Sequence, residues 1–311
     1  MIINQNQNYM NENTVTRAVI TANIEMFNER ALLPELNIKS NLMDAFPFRR
    51  TGIRGSGIYS FSGQNLSGGL ASVVSRNQTN NNTLSTNLFN TSIKMFNLGY
   101  DLPMDVCAIK DGKLDVNSTI SKAAKLLNYQ GLLLMFNGKA MDSQNKNELM
   151  LIENNLYDCG TATSGVNVGA STTTVNAVNA MFMEMADGII DAGFNPEVLL
   201  LSRKAYMKIF NLKKDMGQDG VFAFLKATLN LDVYVSDFFD SVRGGGATAI
   251  MTTRDEAGLQ SVIGTEAFLP HDGEYARDSQ NRTYTLNVTV GGFATIDKNK
   301  NIVQIRNKLL G

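Results

Sequence analysis

The 311-residue chain has no tryptophan, one histidine, two cysteines and five prolines. A single imidazole, His271, leaves no room for nucleophilic triads built around several candidates, and its setting, Leu-Pro-His-Asp-Gly-Glu-Tyr, reads as a polar turn with an exposed histidine. Cys107 and Cys159 lie far apart without a CxxC pair, which excludes a zinc cluster or a disulfide framework and leaves two incidental or buried thiols. Charge is scarce as well. Lysine and arginine number 28 against 29 acidic residues, and charged residues are 18% of the chain, below the usual figure of about a quarter. The basic excess needed for counterion-release binding to nucleic acid is therefore missing. The longest apolar run, GLLLMF from Gly131 to Phe136, falls far short of the roughly 20 residues that span a bilayer. The start, MIINQNQNYMNENT, lacks the basic region and apolar stretch of a signal peptide, so the sequence reads as that of a cytoplasmic protein without membrane contact.

Asn, Ser, Thr and Gly take the place of charge, giving a neutral, amide-rich surface suited to close contact with many neighbours. Residues 1–50 are polar at first and then amphipathic from Thr14 to Leu33, before Pro34, which reads as an arm. From Thr51 to about Asn90 the chain is Gly-, Ser-, Asn- and Thr-rich, with Ile58, Tyr59, Phe61, Val73 and Val74 as the only strand anchors. So long a coreless stretch predicts a projecting two-stranded flap. A strand then leads to Pro103, a helix runs from an N-capping Ser118, and a second helix runs from Thr174 to Ala192, where Gly193 stops it. That second helix buries Val178, Phe182, Met185 and Ile189. Beyond Asn195 short strands alternate with helices: NPEVLLLS as a buried strand, Ser202 capping RKAYMKIF, Asp219 preceding GVFAFLKATL, then LDVYVS, a Gly244-Gly245-Gly246 loop, ATAIMTT and LQSVIG. Alternation from Tyr284 to Val290, a Gly291-Gly292 break and the DKNKN turn into IVQIR predict a closing antiparallel hairpin.

Chemistry-bearing patterns are few. Glu184, Asp187 and Asp191, spaced three and four apart, share one side of the second helix and could bind a hard cation or act as acid and base, yet with an apolar stripe opposite they read as a solvated or intersubunit face. No phosphate loop, dinucleotide fingerprint or calcium loop occurs, so no catalytic residue, metal or cofactor is implied. The sequence reads as a non-enzyme that contacts other copies of itself.

In the order of its elements the chain resembles the major capsid proteins of tailed bacteriophages, the Hong Kong 97-type fold shared with encapsulin nanocompartments. The resemblance rests on the spine-helix segment SKAAKLLNYQGLLLMFNG ending at Asn137-Gly138, the following ELMLIENN, Asn195-Pro196 before the strand capped by Ser202, and the closing GGFATIDKNKNIVQIRNKL. It implies an α+β fold with an N-terminal arm (1–50), an extended β-hairpin loop (51–92), a peripheral domain on a spine helix (93–194), an axial α/β domain (195–281) and strands returning to the peripheral domain (282–311). It further implies self-assembly into hexamers and pentamers of an icosahedral shell, built in the host cytoplasm around packaged DNA without sequence-specific contact. A separate scaffolding protein, a portal and decoration proteins would be the partners, since the arm is too short to carry a fused scaffolding domain. On this resemblance Arg54, Ile58, Tyr59, Phe61 and Arg76 of the loop and Arg49 and Arg50 of the arm are the expected intersubunit contacts. Some relatives weld their shells through a lysine in the extended loop, but no lysine lies between Lys39 and Lys94, which argues against that crosslink here. An encapsulin-like compartment is the alternative on the same fold. A surface adhesin should be nearly all strand with a signal peptide, and an enzyme would have to use Glu184, Asp187 and Asp191.

Overall fold

The computed structural model describes residues 42–51, 57–67, 85–103, 109–110, 113–114, 127, 129–141, 148–151, 153–212, 220–240, 246–264, 271–277, 282–297 and 301–311. The amphipathic arm segment 14–33, the helix start at Ser118, Cys107, Arg54 and Arg76 lie outside the described residues. In chain order the strands are β1 (Arg49–Arg50), β2 (Gly57–Ser67), β3 (Ser85–Pro103), β4 (Ile109–Lys110), β5 (Lys113–Leu114), β6 (Lys139–Met141), β7 (Glu148–Leu151), β8 (Thr161–Ser164), β9 (Val198–Ser202), β10 (Asp232–Ser236), β11 (Ala249–Thr252), β12 (Leu259–Ile263), β13 (His271–Arg277), β14 (Arg282–Val290), β15 (Gly292–Thr295) and β16 (Gln304–Asn307). The helices are α1 (residues 129–137), α2 (Val175–Asp191), α3 (Arg203–Phe210) and α4 (Val221–Leu229).

Local signals act where the sequence puts them. Gly138, at φ +72°, ends α1, and its N–H donates to the Leu134 carbonyl at 2.8 Å. Thr174 caps α2 by accepting from the Ala177 N–H, Gly193 at φ +90° follows its end, and Ser202 caps α3 by accepting from the Ala205 N–H. Val178, Phe182, Met185 and Ile189 are fully buried, as the helical spacing predicts.

A five-stranded sheet, ordered β10-β9-β11-β16-β8, divides the main core. Every residue of β9 is buried, because alternate side chains enter clusters on opposite faces. Leu199 and Leu201 join α2, α3 and α4, while Val198 and Leu200 join α1, Phe239 and Phe293. A second sheet, β1-β12-β15, and a third, β13-β14-β3-β2, extend the α1 side.

Three findings differ from the sequence reading. β15 and β16 are not a closing hairpin: β15 pairs with β12, whereas β16 lies between β11, antiparallel, and β8, parallel. The glycine break before β15 has a steric role of its own, in the passage from β14 to β15. A Cβ at Gly291 would fall 1.9 Å from the Val262 carbonyl oxygen and one at Gly292 2.1 Å from that of Asn154, so this pair marks a close backbone crossing that steers the chain between sheets. His271 opens strand β13, opposite Asn287 of β14, and does not sit in a turn. The end of the arm also belongs to its own subunit. Leu42, Ala45 and Phe46 are buried in the main core, Tyr234 Oη donates to the Asp44 carbonyl at 3.0 Å, and Arg254 Nε donates to that of Ala45 at 2.8 Å.

Candidate assembly surfaces

The flap is a hairpin. β2 and β3 pair without interruption from Gly57 opposite Met95 to Ser67 opposite Ser85. β3 then continues through the expected loop boundary and pairs with β14 from Phe96 to Pro103, so one strand serves both projection and body. Of the apolar anchors expected to face neighbours, period-two alternation separates two from the third. Tyr59 and Phe61, with ring centroids 6.2 Å apart, pack against Ile93, Met95, Val262 and Ala294 of their own chain. Ile58 points the other way and is 63% exposed, so it alone of the three keeps a large free apolar surface.

Polar clamps hold the hairpin base. Arg49 Nη1 donates to Tyr59 Oη at 3.1 Å, and its Nη2 pairs with Glu256 at 3.1 Å. The Tyr59 hydroxyl first, and the Glu256 carboxylate after it, hold the Arg49 guanidinium further toward its charged form. Arg49, expected at a subunit contact, thus carries out an intrachain task, while Arg50 lies beside Ile263 in the parallel β1–β12 pair with an exposed side chain. Asn154 was missed by sequence reasoning. It sits at φ +67°, accepts from the Lys94 N–H at 3.3 Å, donates through Nδ2 to the Ser92 carbonyl at 3.2 Å, and its carbonyl accepts from the Phe293 N–H at 2.7 Å. Its signal in the sequence was the Asn154-Asn155 pair after a strand, since asparagine tolerates the left-handed region. Asn154→Ala should cost about 1–2 kcal/mol through two lost hydrogen bonds and left-handed strain. Hydrogen exchange should show the Lys94 amide opening faster while the α2 amides stay protected; unchanged exchange at Lys94 would mean the clamp is idle.

The carboxylates of α2 separate in the same way. Asp187 and Asp191 are exposed, whereas Glu184, with its side chain 74% exposed, reaches Arg306 Nη2 at 3.1 Å. Arg306 is buried on β16 and also donates to Thr163 Oγ1 at 2.6 Å. Glu184 is therefore the counter-ion of a buried cation beside a groove of about 340 Å³ between α2 and β8, not a purely solvated residue. Among the described residues no group of three or more His, Cys, Asp and Glu side chains could hold a metal ion. Glu184→Gln should cost about 1 kcal/mol, and Asp187→Asn and Asp191→Asn each within about 0.5 kcal/mol, measured by denaturant melts. Equal costs at all three positions would show that the Arg306 pair contributes nothing.

Comparison with known proteins defines the class of this arrangement. No protein-family model and no curated protein matches the chain. Solved structures do: the capsid of Myoviridae phage XM1 superposes with a TM-score of 0.64 at 10% identity, covering 89% of this chain and 94% of that one. A chain of Mycobacterium phage Ogopogo gives 0.55 at 11%, covering 89% and 94%. The virus-like particle from Pyrococcus furiosus gives 0.51 at 12%, covering 93% and 97%. The chain has the α+β Hong Kong 97-type capsid fold over most of its length.

Proposed function

We propose that the chain is a major capsid protein that self-assembles through hexamers and pentamers into an icosahedral shell around a viral genome. The observation that carries this reading is the β2–β3 hairpin, clamped at its base and built on a capsid-type fold that covers most of the chain. A two-stranded ribbon of this length is marginal by itself in water and gains stability by lying on another surface. In this reading the hairpin is the extended loop, and β9, β10 and β11 with their covering helices form the axial domain. Ile58 is its outward apolar contact, with Arg50, Arg54 and Arg76 as further contacts to neighbours. Scaffolding, portal and decoration proteins and packaged DNA are the partners, and the virion the destination. No helix among the described residues is long and apolar enough to cross a membrane.

An encapsulin-like compartment is the second reading, favoured by the coverage of the Pyrococcus furiosus particle. Negative-stain imaging and size exclusion of the purified protein test both: rings or shells support a shell protein, and a monomer at every concentration refutes it. Particles recovered from producing cells then separate the two readings, with genomic DNA inside a capsid and protein cargo without DNA inside a compartment.

A further inference from the structure

On the shell-protein reading, we propose that adjacent copies dock head to tail through two helix faces, the acidic outer face of α2 on one copy meeting the basic outer face of α3 on the next. The large exposed apolar side chains among the described residues are Ile58, Ile190, Met207 and Phe210, and three of these four lie on the two helices. On α2, Ile190 stands 49% exposed on the flank of the buried stripe, one turn beyond Asp187 and next to Asp191 in the chain. On α3, Met207 is 41% and Phe210 61% exposed on the side away from buried Ala205 and Ile209, with exposed Lys204 next to Met207 and exposed Lys208 on the other flank from Phe210. Phe210 is exposed but held: Tyr206 stacks on it at 6.1 Å and on Phe222 at 4.5 Å. Among the described residues none of Asp187, Asp191, Lys204 and Lys208 makes an ion pair, whereas Glu184 is already taken by Arg306. Each face therefore has exposed apolar surface with unpaired side-chain charge at its side, acidic on α2 and basic on α3, where the Asp240 carboxylate accepts from the Lys204 backbone N–H at 3.2 Å. This is the pattern of a contact whose apolar part supplies affinity and whose charges supply register.

Position in the fold sets the symmetry. α2 packs over β16 and β11, and α3 over β9 and β10. In the order β10-β9-β11-β16-β8 these are opposite halves of one helical layer. A contact between two different faces of the subunit is heterologous, and it closes into a ring when the rotation between copies allows.

Charge reversal tests this directly. Asp187→Lys with Asp191→Lys places like charges across every contact, and so does Lys204→Glu with Lys208→Glu. Either double variant should raise the protein concentration at which rings form by at least about tenfold, followed by sedimentation velocity and negative stain. The quadruple variant carrying all four reversals restores opposite charges and should assemble as the wild type does. Phe210→Ser, which leaves every charge in place, should weaken ring formation without changing circular dichroism. The inference falls if the double variants or Phe210→Ser assemble like the wild type, or if the quadruple variant is as defective as the doubles. A wild-type protein that never leaves the monomer removes the shell reading together with this one, whereas assembling wild type with unaffected variants removes only this one.

Discussion

Gly291→Ala is expected to lose most of its stability or to fail to fold. The added Cβ would lie 1.9 Å from the Val262 carbonyl oxygen, 2.6 Å from its carbon and 3.0 Å from the Ile263 Cα. All three are backbone atoms of β12, which is held between β1 on one side and β15 on the other. No flexible side-chain end is available to move aside, so either the crossing opens or two sheets lose their register. We expect a loss above about 4 kcal/mol, a large share of the 5–15 kcal/mol typical of a folded protein. Gly169→Ala is the matched control, because the atoms nearest its Cβ are side-chain atoms of Asn167 at 3.3 Å and Leu310 at 3.8 Å. Urea melts of the two variants decide the matter: similar midpoints would show that the crossing tolerates a side chain and that the steric account of the β14-to-β15 turn is wrong.

Phe293→Ala should cost about 3–5 kcal/mol. The Phe293 ring is fully buried, with ring centroids 4.9 Å from Phe46, 5.5 Å from Phe48 and 5.3 Å from Phe136. It joins the end of the arm, helix α1 and the second sheet, so its removal leaves a cavity whose walls belong to three elements and cannot collapse together. The loss should be visible both in the global melt and as faster proteolysis after residue 42, because Phe46 and Phe48 lose their common partner. A Phe293→Leu variant should recover more than half of the stability by refilling the space. If Phe293→Ala costs less than about 1 kcal/mol, the arm end is not a structural part of the core.

On the proposed shell-protein reading, assembly divides the residues of the hairpin base into two classes. Tyr59, Phe61 and Arg49 hold the hairpin to its own body, so substituting them should disturb the shell through loss of hairpin orientation. Ile58 packs into none of these clusters among the described residues, and on that reading its effect should be confined to contact with neighbours.

Sequence alone determined the features that depend on neighbours along the chain. The caps at Thr174 and Ser202, the stops at Gly138 and Gly193, the buried stripe of α2 and the strand of NPEVLLLS follow from 3.6- and 2-residue periods and from the φ each residue can adopt. Element order was legible for the same reason, and with it the capsid-type fold. Tertiary structure decided which strand meets which, because pairing depends on contacts between residues far apart in the chain that no local period encodes. Thus β16 left β15 for β11 and β8, Arg49 met Tyr59 and Glu256, and Asn154 tied Ser92 and Lys94 to Phe293. The three α2 carboxylates look equivalent by spacing, and only the passage of β16 beneath the helix, which puts a buried Arg306 beside Glu184, sets one of them apart from the other two.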